Sequence, residues 1–358
     1  MTCEQMVDAY KEKIQKKTRL FFALVFLLFA LVIFSIAVGS YNLGVTGIIR
    51  SLFGLEEGAQ KIVVWSIRMP RIIAAIITGG ALGMSGMAIQ CLLRNPLGSP
   101  FTLGISQGAA FGAAFSIVAL GAGGMQESAL KTADMNTGTI YSVYATTFFA
   151  FVGAITATIV ILLLARLKKM SPEAIILAGV ALSSLFTSGT ILVQYFATEG
   201  EIARVVFWTF GDVARSDWPE IGILGGTTFL GILYYVFNRW NLNALSAGED
   251  AAKSLGVDVE RLRTSGMFMA ALIAALATAF HGVIAFLGLL APHIGQRLVG
   301  TDYRLLIPFS CLTGSLLLLT ADTAGRLIVG SGTLPVGVLT SFMGAPLFLY
   351  LLMMGMKK

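Results

Sequence analysis

Few residues in this chain of 358 could carry out acid–base or metal chemistry away from water. The sequence holds 19 Asp and Glu and two His, and nearly all of the acidic residues fall in polar segments. Asp322 is the exception, because it lies within an apolar run with Arg326 four residues further on. Residues at i and i+4 are neighbours on a helix surface, so the spacing predicts a local ion pair near a helix end.

The two histidines, His281 and His293, stand on different segments. We interpret them as packing residues or helix-end hydrogen-bond partners, the alternative being a metal or proton-relay role. No nucleophile with its base and no His/Glu zinc motif is recognisable, and the chain contains no Gly-Lys dipeptide, which excludes a P-loop. We therefore expect a chain that is not an enzyme and has no metal or cofactor of its own. If nucleotide drives its work, the nucleotide site lies on another chain.

The amino-acid composition indicates that the chain is a membrane protein. Hydrophobic residues make up 56% of the chain and charged residues 12%, about half the share of a soluble domain. Mean hydropathy is +0.82. So few charges exclude a cytosolic enzyme, a nucleic-acid-binding protein and a disordered chain. Three cysteines form no disulfide framework, and we interpret them as packing residues.

Long unbroken apolar runs predict spanning helices, because a helix needs about 20 apolar residues to cross a bilayer. The alternation typical of barrel strands is absent. The runs lie at 20–40, 72–93, 101–121, 141–165, 174–197, 220–237, 264–287, 304–321 and 334–354, with a shorter one at 288–299. We expect an all-α polytopic membrane bundle of about ten transmembrane helices. Residues 1–19 would be a cytoplasmic N-terminal segment and residues 20–358 a single transmembrane domain.

The 25 lysines and arginines are distributed unevenly among the predicted loops. With the N-terminus inside and ten crossings, most of them fall on the cytoplasmic side, as the positive-inside rule requires. The net charge of +6 has the same origin. Both termini are therefore predicted to be cytoplasmic, and 20–40 is predicted to be an uncleaved first helix. Glycines spaced at 79, 83 and 86 and at 104, 108 and 112 are interpreted as sites of close helix packing.

One predicted cytoplasmic segment, residues 243–263, has more local order than a simple connector needs. Ser246 and Glu249 have the spacing of a capping box, and Gly256 is placed to end a short helix. Asp258 is placed to begin a second short helix that runs to Arg263. A small apolar face would comprise Ala251, Ala252 and Leu255. From the residues alone, a connector and a docking site for another chain remain equal alternatives.

Several long stretches resemble one transporter family. Residues 68–113 (RMPRIIAAIITGGALGMSGMAIQCLLRNPLGSPFTLGISQGAAFGA) resemble the permeases of type II ABC importers, the FecCD-like family that takes up iron-siderophores, haem and cobalamin. So do ILAGVAL (176–182), SAGEDAAKSLGV (246–257), GLLAPHIGQRLVGTDYRLLIP (288–308) and LPVGVLTSFMGAPLFLYLL (334–352). The match is ordered and runs from about Trp65 to the C-terminus.

The resemblance implies a multi-pass permease of the bacterial or archaeal cytoplasmic membrane. It implies a homodimer with its pathway at the dimer axis, two cytoplasmic ATPases that carry ATP and Mg, and an external binding protein. No nucleic acid is involved. The family's ATPase-coupling segment corresponds here to Ser246, Gly248, Glu249, Ala251, Ala252, Leu255 and Gly256, which favours docking over a connector.

The resemblance also assigns gate and docking residues. The inner gate loop corresponds to residues 94–100, with Asn95 and Leu97 at the constriction. A second gate segment corresponds to Ser171, Pro172 and Glu173, where small hydroxyl residues stand in the cobalamin member. The arginines that would meet acidic groups of the binding protein are Arg68, Arg71 and Arg326. The alternative for these arginines is snorkelling toward lipid headgroups.

The predicted function is therefore a permease subunit that passes a metal chelate from an external binding protein into the cytoplasm. The alternative is an ion-coupled secondary transporter acting without an ATPase. Such transporters hold ionisable groups at mid-membrane, and this sequence offers no such relay. Which chelate is carried, or whether it is an oxyanion, does not follow from the residues.

Overall fold

The fold is seen in a computed structural model of the chain. It describes residues 3–39, 50, 59–122, 137–168, 171–329 and 334–355. Helices dominate these ranges, and no strand occurs in them. The all-α prediction is confirmed.

The described residues form thirteen α-helices of six or more residues. They are α1 (Cys3–Ala37), α2 (Met69–Leu92), α3 (Ile105–Ala119), α4 (Thr137–Lys168), α5 (Pro172–Tyr195), α6 (Glu199–Thr209), α7 (Trp218–Phe237), α8 (Arg239–Ala247), α9 (Glu249–Ser254), α10 (Val259–His281), α11 (Leu287–Val299), α12 (Tyr303–Val329) and α13 (Val336–Gly355). A short turn Ala59–Ile62 and a π-helical stretch Val63–Arg68 lead into α2.

Seven helices in the described part of the chain are long and apolar enough to cross a membrane. These spans are Val7–Ala37, Gln60–Leu92, Tyr144–Arg166, Pro172–Tyr195, Trp218–Phe237, Val259–His281 and Tyr303–Ile328. The apolar helices α3 and α11 are shorter, and together with α13 they occupy the remaining predicted runs. The helices match the ten runs expected from the sequence.

Helix α2 is the centre of the bundle, and most of its residues are buried. It packs on α12, α10, α11 and α7. Small residues allow this, because a side chain on Gly86 would fall within 1.7 Å of the Gly288 carbonyl oxygen of α11. Gly108 of α3 and Gly153 of α4 are in equally direct backbone contact. The close-packing interpretation of the glycine spacing is confirmed at these positions.

Because α2 runs through the whole bundle, its two termini define the two ends of the molecule. The Leu92 end gathers the last turn of α2, the helices α8 and α9, and the first turns of α5, α10 and α12. The Arg71 end gathers the first turn of α2, the last turns of α1, α10 and α12, and the Trp65–Trp218 ring pair.

Candidate functional site

The loop after α2, residues 93–104, is held in a fixed shape by its own polar groups. Asn95 Oδ1 accepts a hydrogen bond from the backbone N–H of Leu97 at 2.8 Å, a local turn typical of asparagine. Ser99 and Thr102 exchange backbone and hydroxyl hydrogen bonds at 2.9 and 3.1 Å. Arg94 adopts φ +47°, which redirects the chain as it leaves α2. The loop presents Leu97, 43% exposed, at its tip.

The first turn of α5 lies beside this loop. Ser171 caps α5 by accepting from the backbone N–H of Ala174 at 3.4 Å, and Pro172 occupies the first helical turn. Glu173 is exposed and lies close enough to feel the positive charge of Arg94. The structure thus brings the two predicted gate segments together at the Leu92 end.

A groove of about 430 Å³ opens between the loop and α5. Most of its lining surface is apolar, although five of the lining side chains carry a hydroxyl, and the amide oxygen of Gln107 is buried without a hydrogen-bond partner. Its walls are Phe101, Thr102, Gln107, Val180, Ser183, Ser184, Thr187 and Ser188. The groove was not predicted from the sequence, although Ser183, Ser184, Thr187 and Ser188 recur at helical spacing in an apolar run.

The predicted coupling segment lies at the same end but is built differently from the expectation. Ser246 belongs to α8 and donates its hydroxyl to the carbonyl of Asn243 at 2.7 Å. The residue that precedes α9 is Gly248, at φ +136°, so the predicted Ser246–Glu249 capping box is wrong. The hydroxyl reaches its own helix backbone, an alternative that is always open to serine.

The end of α9 agrees better with the prediction from the sequence. Gly256, at φ +82°, follows the last turn of α9, and Asp258 Oδ1 caps the next helix at 3.0 Å from the Arg261 N–H. That helix does not stop at Arg263, because α10 continues without a break to His281. The two elements predicted at 258–263 and 264–287 are a single helix.

The three residues predicted as one apolar contact face are exposed very unequally. Ala252 is fully buried in the core, whereas Leu255 is 73% exposed. Ala251 is intermediate. Ala252 therefore packs within this chain, and Leu255, the residue that follows α9, presents an exposed apolar side chain.

A polar clamp fixes α8 to the start of α12. Asn243 donates its amide to Asp302 Oδ1 at 3.1 Å and accepts from the backbone N–H of Tyr303 at 2.9 Å. Arg304 donates two hydrogen bonds to Asp302 Oδ2, at 2.6 and 2.9 Å. Together with smaller contributions from backbone and Asn243 donors, the Arg304 hydrogen bonds lower the pKa of Asp302 to about 2. The guanidinium of Arg304 also lies 5.0 Å from the ring of Trp240.

At the opposite, Arg71 end, Asp322 collects two arginines. Arg71 donates to Asp322 Oδ1, with Nε at 2.8 Å and Nη2 at 2.7 Å. Arg326 Nε lies 3.2 Å from Oδ2, an ionic contact that lacks hydrogen-bond alignment. The side chain of Asp322 is fully buried. The predicted i,i+4 pair is confirmed, and Arg71 is the partner that the sequence did not reveal.

The same cluster holds the last turn of α1. Arg68 donates to the carbonyl of Ile36, and Arg326 donates to those of Ser35 and Val38 at 3.0 and 3.2 Å. Unpaired carbonyls at a helix C-terminus attract cations, so the arginines complement this end of α1.

This geometry changes the interpretation of Arg68, Arg71 and Arg326. Arg68 and Arg71 are only 5% and 8% exposed, and the side chain of Arg326 is 9% exposed. Asp322 and the α1 carbonyls accept hydrogen bonds from these arginines within the chain itself. Their burial leaves little guanidinium surface for a partner, and their docking role stays an untested prediction.

The histidines occupy separate positions. His281 is buried at the end of α10, with Nδ1 3.2 Å from Thr78 Oγ1 and Nε2 3.0 Å from Ser216 Oγ. It joins three segments at the Arg71 end, as the helix-end interpretation predicted. His293 lies apart from it, on α11. Among the described residues, no group of three His, Cys, Asp or Glu side chains is placed to hold a metal ion.

Comparison with known proteins identifies the family of this chain. The model of the FecCD transport family matches residues 27–354. An ABC transporter permease protein of Methanocaldococcus jannaschii is 48% identical, over 97% of this chain and 98% of its own length. A permease of the Fe(3+)-citrate import system of Bacillus subtilis is 33% identical, over 97% and 99%.

A solved structure shares the fold. It shows the inward-facing conformation of a metal-chelate type ABC transporter and aligns with a TM-score of 0.78 at 29% identity. The alignment covers 94% of this chain and 99% of that one. The two chains therefore share one fold over nearly their whole length.

Proposed function

The chain belongs to the FecCD transport family and is a permease subunit of an ABC importer, and we propose that its cargo is a metal chelate. The observation that carries this cargo class is the full-length match to an Fe(3+)-citrate permease and to a metal-chelate transporter of the same fold. Further relatives are named for haemin, vitamin B12 and molybdate import. Iron-siderophore, haem and cobalamin are thus the cargo candidates, with an oxyanion as the remaining one.

The partners belong to the proposal as well. The importer would contain two copies of this chain, two cytoplasmic ATPases that hold ATP and Mg, and an external binding protein. The exposed part of α9, together with Leu255 directly after it, would receive the ATPase. Because α9 is held against α10 and α8 against α12, an ATPase bound there would act on ordered helices rather than on a loose connector.

The loop 93–104 and the first turn of α5 would form the inner gate. Leu97 at the loop tip and Ser171, Pro172 and Glu173 at the start of α5 face the same region at the Leu92 end. The groove lies further along α5, between Val180 and Ser188. Its lining is mainly apolar and carries no charged side chain, because the hydroxyls of Ser183, Ser184 and Thr187 donate to carbonyls of their own helix.

The Leu92 end would be cytoplasmic, which makes residues 1–19 and both termini cytoplasmic and residues 20–358 one transmembrane permease domain. The charge distribution supports this orientation.

The orientation can be tested at Glu199 and Ser246, which are both exposed and lie at opposite ends of the bundle. In intact cells an impermeant thiol reagent should label Glu199→Cys, and it should label Ser246→Cys only after the membrane is opened. The reverse pattern would overturn the orientation.

Transport is tested in liposomes that contain the chain, its co-purifying ATPase and an external binding protein. Radiolabelled Fe(3+)-citrate, haemin and cyanocobalamin serve as probes, with labelled molybdate as the oxyanion comparison. We expect uptake of one chelate that requires ATP inside and stops when the ATPase is omitted. Uptake driven by a proton or sodium gradient without the ATPase would instead establish the ion-coupled alternative.

A further inference from the structure

The last turn of α2 ends in carbonyl groups that must find donors outside the regular helix. The carbonyls of Ile89, Gln90 and Cys91 accept from the backbone N–H groups of residues 93, 95 and 94, at 3.0 to 3.1 Å. The carbonyl of Leu92 accepts from a side chain, because Arg263 Nε of α10 lies 3.2 Å away. A cation at this position also complements the negative end of the helix dipole.

The other side of the same guanidinium is bound to α9. Arg263 Nη2 donates to Glu249 Oε1, and the two side chains are 17% and 30% exposed. Glu249 is the first residue of α9, six residues before the exposed Leu255. The planar guanidinium, with five N–H donors, spans both partners, which the single ammonium of lysine could not reproduce.

Packing reinforces the polar contact. The side chain of Leu92 is fully buried, and its Cδ1 lies 2.7 Å from where a side chain on Gly266 would begin. Gly266 follows Arg263 by one turn of α10, so α10 holds the end of α2 by a hydrogen bond and by direct contact. One residue earlier, the thiol of Cys91 lies 3.7 Å from the Leu242 carbonyl of α8.

These contacts connect α9 to the loop that carries Leu97. The loop begins one residue after Leu92 and is redirected at Arg94 by its positive φ. A displacement of α9 would therefore move Arg263, and through it the peptide from which the loop departs.

We propose that Arg263 is a positioning residue that transmits the movement of α9 to the inner gate, through Glu249 on one side and the Leu92 carbonyl on the other. The proposal rests on the function proposed above, in which an ATPase binds α9 and the loop 93–104 closes the pathway. It adds the physical link between those two sites, and it gives Glu249 a role within this chain rather than at the ATPase surface.

The test uses the chain in complex with its co-purifying ATPase. A reference protein carries Cys3→Ser and Cys311→Ala, keeps the buried Cys91, and has Leu97→Cys at the gate loop. A thiol reagent supplied at the cytoplasmic face reports gate exposure without nucleotide and with ATP plus vanadate. We expect nucleotide to change the labelling rate of Leu97→Cys in the reference protein.

Arg263→Gln should reduce that nucleotide-dependent change at least fivefold while the ATPase still co-purifies. Arg261→Gln is the matched control, because Arg261 lies two residues away on the same helix with an exposed side chain. It should behave like the reference. Glu249→Gln, which removes the charge on the α9 side and leaves the Leu92 contact in place, should give an intermediate reduction.

The outcomes separate the two proposals. A reference-like nucleotide response in Arg263→Gln overturns the positioning role alone. If Arg263→Gln does not assemble, Glu249→Gln decides, and a reference-like response in that variant overturns the role. Failure of the ATPase to bind the reference protein overturns the proposed function, and the positioning role with it.

Discussion

At each end of α2 an arginine bonds across the bundle, Arg71 of α2 itself at one end and Arg263 of α10 at the other, but the surroundings of the two arginines differ. At the Arg71 end, the partner Asp322 is fully buried and is reached from two sides by guanidinium groups. At the Leu92 end, Arg263 and Glu249 remain partly exposed, and α9 stands at the surface. One pair lies between spanning helices, and the other joins a spanning helix to a surface helix.

This difference indicates which end can move. Separating Arg71 from Asp322 would leave charges buried without partners, at a cost of about 3–5 kcal/mol. Separating Arg263 from Glu249 exposes both groups to water, and exposed pairs contribute only about 0–1 kcal/mol. The Arg71 end is therefore expected to stay fixed while the Leu92 end changes conformation.

The largest effect is expected from Asp322→Asn. The substitution removes the acceptor charge between Arg71 and Arg326, so the free energy of unfolding in detergent should fall by about 3–5 kcal/mol. Thermal or denaturant unfolding measures it. The control, Asp250→Asn on the exposed surface of α9, should change stability by less than about 0.5 kcal/mol. Equal stability of both variants would contradict the view that the Arg71 end is a fixed ionic core.

The second effect separates packing from docking on α9. Ala252→Arg forces a charged side chain into a fully buried site, and we expect a stability loss of about 2–3 kcal/mol. Leu255→Arg replaces an exposed side chain, so stability should change by less than about 0.5 kcal/mol while ATPase co-purification falls at least tenfold. A stable Ala252→Arg variant that loses the ATPase would restore Ala252 to the contact surface.

A smaller effect is expected from Glu249→Gln, the counterpart of Asp322→Asn at the Leu92 end. Because the pair is partly exposed, the loss of stability should be at most about 1 kcal/mol. Raising the salt concentration should shrink the difference between this variant and the unaltered chain. A loss as large as that of Asp322→Asn would remove the contrast between the two ends.

The smallest effect is expected from Asp302→Asn, which removes the carboxylate of the clamp between α8 and α12 and should change how stability depends on pH. The pKa of Asp302 in the folded chain is about 2, below its ordinary value of 3.8, so its ionised form stabilises the fold. That contribution is complete above about pH 4 and is lost as the pH falls toward 2. Asp302→Asn should therefore lower the melting temperature at pH 6, and the difference should disappear near pH 2. A difference independent of pH would show that the clamp does not depend on the carboxylate charge.

The spanning helices could be predicted because each one is determined mainly by its own residues: an apolar run long enough to cross the bilayer forms a helix there. All ten runs are occupied by helices. Helix boundaries that depend on which hydrogen bond a side chain makes were harder to predict from the sequence, as Ser246 shows. A serine can cap the following helix or bond to the carbonyl of Asn243 in its own helix, and only the folded chain decides between them.

The surroundings of the site residues could not be predicted, because they depend on contacts between distant segments. Arg71 and Asp322 are separated by 251 residues, and Arg263 and Leu92 by 171. Spacing revealed only the pair within one helix, Asp322 and Arg326. For that reason the sequence suggested Arg68, Arg71 and Arg326 as contacts for a binding protein, whereas the structure largely buries them.

The central position of α2 has a consequence for how the chain is made. Helix α2 is among the first to leave the ribosome, but its main neighbours α10, α11 and α12 begin about 170 to 210 residues later. At about 5–20 residues per second, they follow on the order of 10–40 s behind. During that interval the face with Gly79, Gly83 and Gly86 must contact lipid or an insertion factor. We expect newly made chains stopped before α10 to be short-lived in the membrane, and the late helices to complete a bundle whose centre was laid down first.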